Sequence, residues 1–81
     1  MPNKLRNLSG DEIISIFQKF GFIISYAKGS HCKLKRTIGD EKQIIVVPRH
    51  SSVAKGTLKS IYRKAVPYLG EEKLKSAFYT K

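Results

Sequence analysis

An alternating run from His31 to Ile38 restricts the fold of this chain more than any other segment. Cys32, Leu34 and Ile38 recur at period two and are separated by polar or charged side chains. This period is typical of a strand that buries one of its two faces. The other face is expected to carry the side chains at positions 31, 33, 35 and 37.

Strand-like segments lie on both sides of this run. Phe22 to Lys28 is rich in β-branched and aromatic residues, and Gln43 to Val47 is a second apolar stretch. Gly39 to Lys42 predicts a hairpin turn, and Pro48 ends the third strand because it has no N–H to donate. Connections this short make the sheet antiparallel and meandering.

A capping box marks the start of a first helix. The side chain of Ser9 can accept a hydrogen bond from the main chain of Glu12, whose carboxylate can accept one in return. Gly21 ends the helix because it can adopt a left-handed conformation. Apolar residues at helical spacing form one stripe, made of Ile13, Ile16, Phe17 and Phe20.

Two further helices are predicted after the sheet. One runs from about Gly56 or Thr57 to Val66, is capped by Thr57 or a neighbouring residue, and is broken by Pro67. Its apolar stripe consists of Leu58, Ile61, Tyr62 and Ala65. A short third helix covers about Glu71 to Phe78, where acids precede lysines as the helix dipole favours.

The element order α-β-β-β-α, with a short terminal helix, predicts an α+β fold. It is the order of double-stranded-RNA-binding domains, in which both main helices cover one face of a three-stranded antiparallel sheet. One domain is expected over 1–81, with a core of about 5–66 and a helical extension of about 67–81. The bare face of the third strand carries Ile45 and Val47, or else Ile44 and Val46. These residues suggest a protein-binding patch, a dimer contact or partial cover by the third helix.

Positive charge is concentrated in the middle of the chain. The net charge is +10, and residues 28–64 hold ten lysines and arginines against Asp40 and Glu41, which gives that segment +8. Such a surface fits a polyanion, with nucleic acid first, an acidic protein second and an anionic membrane third. The alternative is a solvated surface that only confers solubility.

Composition argues against several classes of site. The one cysteine, Cys32, permits no internal disulfide or cysteine-based zinc site and is expected to be a buried thiol. Two histidines without a nearby carboxylate predict no metal site, and nothing indicates a cofactor. The N-terminus lacks an apolar signal core, and the longest apolar run, Ile44 to Pro48, is too short to cross a membrane. A cytoplasmic protein without membrane contact is therefore expected.

Gly29-Ser30-His31 is the strongest candidate for chemistry. Histidine exchanges protons near neutral pH, so His31 can act as a general base or acid in the cleavage of RNA by its own 2′-hydroxyl. Lys28, Lys33 and Lys35 can stabilise the negative charge of the transition state. The alternatives are simple phosphate binding and a structural histidine.

The neighbours of His31 also have alternative roles. Gly29 supplies a positive φ, room for the substrate backbone, or an ordinary turn. Ser30 orients His31, binds a phosphate, or caps the turn with its hydroxyl. No second proton-transfer group stands out on the same face, which leaves that role to His50, a lysine or water.

Further candidates for RNA contact follow the third strand. His50 can contact phosphate or assist His31, and otherwise is a surface histidine without a special role. Lys55, beside the start of the second helix, can hold a phosphate. Lys59, Arg63 and Lys64 can follow an RNA backbone or form a solvated face.

Four short motifs occur in order: Gly21-Phe22, Gly29-Ser30-His31, Pro48-Arg49-His50 and Gly56-Thr57-Leu58. Together they resemble the signature of HicA-type mRNA interferase toxins, also called the YcfA-like family, from about Leu5 to Ala65. The resemblance implies a double-stranded-RNA-binding-like fold, metal-independent cleavage of mRNA by the motif histidine, here His31, and inhibition by a cognate HicB antitoxin. It implies no role for the extension from Pro67 to Lys81.

Three functions are compatible with these observations. The first is an mRNA endoribonuclease toxin that acts through His31 and is held inactive by a HicB-like antitoxin. The second is a non-catalytic RNA-binding module of the same fold. The third is a protein-interaction domain whose basic face docks an acidic partner. Cleavage of RNA by the free protein separates the first from the other two.

Overall fold

The computed structural model describes residues 4–80. Its elements are α1 (Gly10–Lys19), β1 (Ile23–Lys28), β2 (His31–Ile38), β3 (Glu41–Pro48), α2 (Lys55–Leu69) and α3 (Glu71–Phe78). The strands form one antiparallel sheet in the order β1-β2-β3, so β2 is central. The predicted α+β architecture is confirmed, with β3 longer at both ends than expected and with Phe22 outside β1.

Helix α1 begins with the predicted capping box. Ser9 Oγ accepts a hydrogen bond from the Glu12 N–H at 3.1 Å, and a carboxylate oxygen of Glu12 accepts one from the Ser9 N–H at 2.8 Å. The first of these bonds satisfies a helical N–H that has no partner within the helix. Gly21 follows the helix with a φ of 97°, as expected for the residue that ends it. The helix buries Gly10, Ile13, Ile14 and Phe17, whereas Ile16 and Phe20 of the predicted stripe are partly buried.

Both hairpins turn on two residues, of which the first is glycine. The loops are Gly29-Ser30 and Gly39-Asp40. Each glycine has a φ of 59°, and no other residue type in the described chain has a positive φ. This sign pattern matches the type II′ turn, whose twist suits antiparallel strands. The turn predicted from Gly39 to Lys42 is shorter than expected because β3 already begins at Glu41.

Helices α1 and α2 pack on one face of the sheet. That face carries Cys32, Leu34, Ile45 and Val47, each at most 1% exposed. The prediction of a buried Cys32 is therefore confirmed, and the uncovered face of β3 is the one with Ile44 and Val46. Ile38 was predicted to share a face with Cys32 and Leu34, but unlike them it is 52% exposed, because it closes the β2–β3 hairpin at the tip of the sheet.

Helix α2 continues through Pro67, so the prediction that it ends at Val66 was wrong. It ends at Leu69, and the Gly70 N–H closes the last turn on the Val66 carbonyl at 2.8 Å. A proline this near the end removes only one main-chain hydrogen bond from the helix. Val66, Tyr68 and Leu69 pack against the core and hold this turn in place.

The start of α2 also differs from expectation. The helix begins at Lys55, and its N-cap residue, Ala54, has no side-chain oxygen to satisfy the first N–H groups. Thr57 lies inside the helix and is not its cap. The predicted stripe is present, with Leu58, Ile61 and Ala65 buried and Tyr62 partly buried.

Helix α3 adds to the same core and ties the two ends of the chain together. Leu74 and Phe78 are fully buried, and the Phe78 ring meets Phe17 and Tyr62 edge-on at 6.0 and 5.6 Å. Beyond the helix, Tyr79 forms an isolated bridge with Leu5. Burial, together with the nearby Glu71 carboxylate, raises the pKa of the Tyr62 phenol above its usual value.

Arg36 joins the sheet to the C-terminal ends of both main helices. Its guanidinium donates to the carbonyl of Phe20 at 2.9 Å, to the carbonyl of Tyr68 at 3.2 Å, and to Gln43 Oε1 at 2.8 Å. It also lies 5.2 Å from the centre of the Phe22 ring. A cation is favoured at helix C-termini, where carbonyl groups lack helical partners. Arg36 is therefore structural, although its charge was counted in the basic segment.

We expect Arg36→Met to lower the free energy of unfolding by about 2–4 kcal/mol, because it leaves the buried Gln43 amide and two carbonyls without their donor. Urea denaturation followed by circular dichroism measures this. Arg63→Met on the exposed side of α2 is the matched control and should change stability by less than about 0.5 kcal/mol. Equal effects of the two variants would contradict the structural role of Arg36.

Candidate active site

His31 stands at one end of the sheet, as the first residue of the central strand. Its main chain pairs with Lys28 on β1 and with Pro48 on β3. A strand paired on both sides fixes the backbone, while the side chain is exposed on the face that the helices leave open. The side-chain hydrogen bonds within residues 4–80 include none to either imidazole. The His31 ring is therefore open to a ligand.

Glycine is required at position 29, in the turn before His31, because of the backbone conformation there. Gly29 has a φ of 59°, which side chains with a Cβ rarely adopt, and a Cβ there would meet nothing within 4 Å. The positive φ, and not a close approach within the fold, thus accounts for this glycine. Ser30 contributes its carbonyl, which accepts from the Arg49 N–H. Its exposed hydroxyl makes no hydrogen bond within the described residues.

Three lysines share the open face of the sheet with His31. Lys28 lies directly opposite it on β1. Lys33 and Lys35 follow it along β2, at about 7 Å and about 13 Å if the rise per residue is that of an ordinary strand. Lys28 and Lys33 are therefore near enough to act on the same phosphate as His31, whereas Lys35 suits a neighbouring one.

Tyr26 belongs to this face and was not identified from the sequence. The register of β1 shifts between Ile24 and Tyr26, which leaves Ser25 as a bulge and places Tyr26 opposite Lys33. The side chain is 58% exposed. An exposed aromatic ring among cations is a platform on which a nucleic-acid base can stack. Alternation from Lys28 places Tyr26 on this face, whereas the bulge at Ser25 reverses the parity of the residues before it, Ile23 and Ile24.

The segment Pro48–His50 is held beside this site by main-chain contacts. The Arg49 N–H donates to the Ser30 carbonyl, and the His50 carbonyl accepts from the Gly10 N–H at 2.8 Å. The segment therefore connects the β1–β2 turn to the start of α1. The His50 side chain is exposed, so His50 lies at the same end of the sheet as His31 without a hydrogen bond between their rings.

Gly10 and Asp11 were also missed, and both hold this segment. A Cβ on Gly10 would overlap the carbonyl oxygen of Pro48 and the Cα of Arg49, so only glycine fits. Asp11 accepts from Arg49 Nε at 3.0 Å, although both side chains are largely exposed and the pair contributes little energy. Capping residues reveal a helix start from sequence, but they do not reveal what packs against it.

The lysines and arginine predicted on α2 form a separate surface. Lys55, Lys59 and Arg63 are spaced by four residues and lie in one exposed row along the helix. Helix α2 covers the face of the sheet opposite to the side chains of Lys33 and Lys35. The predicted RNA-contacting residues therefore divide into a sheet-face group around His31 and a row on α2.

Comparison with known families gives one match. A family model described as the HicA toxin of bacterial toxin–antitoxin systems matches residues 10–66. The chain belongs to the HicA toxin family. The match runs from α1 to Val66 in α2 and includes His31, whereas α3 lies outside it. No curated protein matches the chain.

Two further observations apply to the described part of this HicA-family protein. None of its helices is long and apolar enough to cross a membrane. No group of three or more His, Cys, Asp and Glu side chains within residues 4–80 is arranged to hold a metal ion.

We expect Gly10→Ala to lower the free energy of unfolding by about 1–3 kcal/mol, because the new methyl group forces the Pro48–His50 segment away from α1. Gly56→Ala is the matched control, since a Cβ there meets nothing and alanine favours the helix by up to about 1 kcal/mol. Urea denaturation measures both. If Gly10→Ala were as stable as the control, this would contradict the close approach of Gly10 to the main chain of Pro48 and Arg49.

Proposed function

We propose that this HicA-family toxin is a metal-independent endoribonuclease that cleaves mRNA through His31. The observation that supports this most is an exposed histidine on the rigid central strand, with Lys28 opposite and Lys33 on the same face. A rigid element holds a reactive group at a defined position more accurately than a loop does. The partner proposed for the toxin is a HicB-like antitoxin.

The chemistry proposed for His31 is proton transfer. As a base, its imidazole removes the proton of a ribose 2′-hydroxyl, whose oxygen then bonds to the adjacent phosphorus. As an acid, it protonates the 5′-oxygen that leaves. Lys28 and Lys33 supply positive charge where negative charge develops on the phosphate oxygens. Because the site is open, water can serve as the second proton-transfer group.

The substrate proposed for the open face is single-stranded RNA. A base stacked on Tyr26 would lie beside Lys33, and the phosphate that follows could reach His31 and Lys28. The row on α2 faces another direction and would contact only more distant parts of a long RNA.

A non-catalytic RNA-binding module is the second candidate. Within residues 4–80, no carboxylate forms a hydrogen bond with the imidazole of His31 or His50, which favours this candidate. Asp11, near the same end of the sheet, accepts from Arg49 instead. A histidine without such a partner is a weaker base. This candidate predicts salt-dependent RNA binding without cleavage.

We expect His31→Ala to reduce RNA cleavage by about 10²–10⁴-fold, the usual contribution of a general acid or base, while leaving RNA affinity and the melting temperature close to wild type. Gel analysis of mRNA, with growth of a bacterial host that expresses each variant, measures the effect. His50→Ala is the control and should retain most of the activity. Cleavage by a folded His31→Ala protein at the wild-type rate would leave RNA binding as the better proposal.

We expect Tyr26→Ala to weaken the binding of single-stranded RNA by about 1–3 kcal/mol, because it removes a stacking surface. Fluorescence anisotropy with a short labelled RNA measures this. Tyr26→Phe retains the ring and should bind like wild type. An equal loss in both variants would show that the hydroxyl, and not stacking, carries the contact.

A further inference from the structure

The outer edge of β3 offers main-chain groups that no described residue uses. The Arg49 N–H bonds to the Ser30 carbonyl, and hydrogen-bonded pairs alternate along an antiparallel ladder. The main-chain groups of Lys42, Ile44 and Val46 therefore point away from β2. β3 is an edge strand, so these groups have no strand partner within residues 4–80. Such an edge is a template on which another strand can pair.

An apolar groove runs beside this edge, between β3 and α2. Its volume is about 230 Å³, and we call it the β3–α2 groove. It is lined by Ile45, Val46, Thr57, Ser60, Ile61 and Lys64. Val46, also at this edge, exposes 46% of its side chain on the open face of the sheet. An edge strand next to a helix, with an apolar slot between them, is the arrangement by which PDZ domains bind extended peptides.

The charge around the groove indicates what kind of chain would occupy it. Helix α2 contains four cations and no acid in its sequence from Lys55 to Leu69, and Lys64 is part of the groove wall. A residue opposite Lys42 on an added strand would form a cross-strand pair with that lysine. Carboxylates on the added strand would therefore be attracted, and further cations would be repelled.

Two other occupants fit less well. A second copy of this chain would bring another net charge of +10 and a second cationic α2 against the first. RNA would place its phosphates against the apolar floor formed by Ile45 and Ile61, where they lose solvation without gaining donors.

We propose that the β3–α2 groove binds an extended acidic segment of a partner protein, which adds to β3 as a fourth strand. Apolar side chains of the segment would enter the groove, and its carboxylates would lie near Lys42 and Lys64. The inference rests on the toxin–antitoxin part of the proposed function and is independent of catalysis by His31. It leaves the opposite edge of the sheet, with Tyr26, available to RNA.

The test uses a capped peptide in which valine and glutamate alternate over the length of β3, and a matched peptide of valine and lysine. Binding of the valine–glutamate peptide to the full chain should slow amide exchange at Ile44 and Val46 by about tenfold or more and shift the resonances of Thr57 and Ser60. The valine–lysine peptide should not bind. Repeating the titration with His31→Ala keeps the result separate from catalysis, since that variant should bind the peptide like wild type.

Val46→Glu should weaken peptide binding about tenfold or more, because Val46 borders the added strand on the open face of the sheet, where the new carboxylate would lie beside the glutamates of the peptide. Ile38→Glu is the matched control: it adds the same charge at a similarly exposed position, away from the groove, and should not change the affinity. Equal affinity for both peptides, an equal loss in both variants, or protection of the same amides by a short RNA would overturn the proposal. So would concentration-dependent protection without peptide, which would indicate a second copy.

Discussion

The guanidinium of Arg36 is the contact on which the arrangement of helices and sheet depends. It reaches the last carbonyls of α1 through Phe20 and those of α2 through Tyr68, while its own strand carries the core residues Cys32 and Leu34. The contact also explains why α2 must continue past Pro67. A helix that ended at the proline would leave no Tyr68 carbonyl in position, and the C-terminal ends of the two helices would lose their common donor.

Much of this fold follows from local patterns in the sequence. The capping box at Ser9, the alternation along β2 and the glycines at 29 and 39 each depend on a few neighbouring residues, and the structure agrees with them. Local patterns do not predict the exposure of Ile38 or the position of Pro67 inside α2, because both depend on how the helices pack on the sheet. Alternation predicts a face for Ile38 but not whether a helix extends far enough to cover it, and a proline near a helix end costs too little to override packing.

In the candidate site, too, some residues can be placed from local sequence patterns and others only from tertiary contacts. His31 and the lysines of β2 can be assigned to one face because the strand is regular. Tyr26 follows by the same alternation from Lys28, but Ile23 and Ile24 cannot be assigned in this way, since the bulge at Ser25 changes the parity of β1 before Tyr26. The requirement for glycine at position 10 cannot be predicted either. It arises because a side chain there would overlap the main chain of a segment nearly forty positions away in sequence. Sequence also cannot show that the lysines of α2 lie behind the sheet, since that depends on which face the helix covers.

A three-stranded sheet with helices on one side gives so small a protein several distinct surfaces. The open face presents His31, the β1 edge presents Tyr26, and the β3 edge meets α2 at an apolar groove. A substrate on the open face and a partner on the β3 edge would therefore contact different surfaces, while both would touch the same β2–β3 ladder. His31 pairs with Pro48 at the end of β3, so a strand added along that edge would extend towards the histidine. Through this geometry, a partner bound at the groove can limit access to the site without filling it.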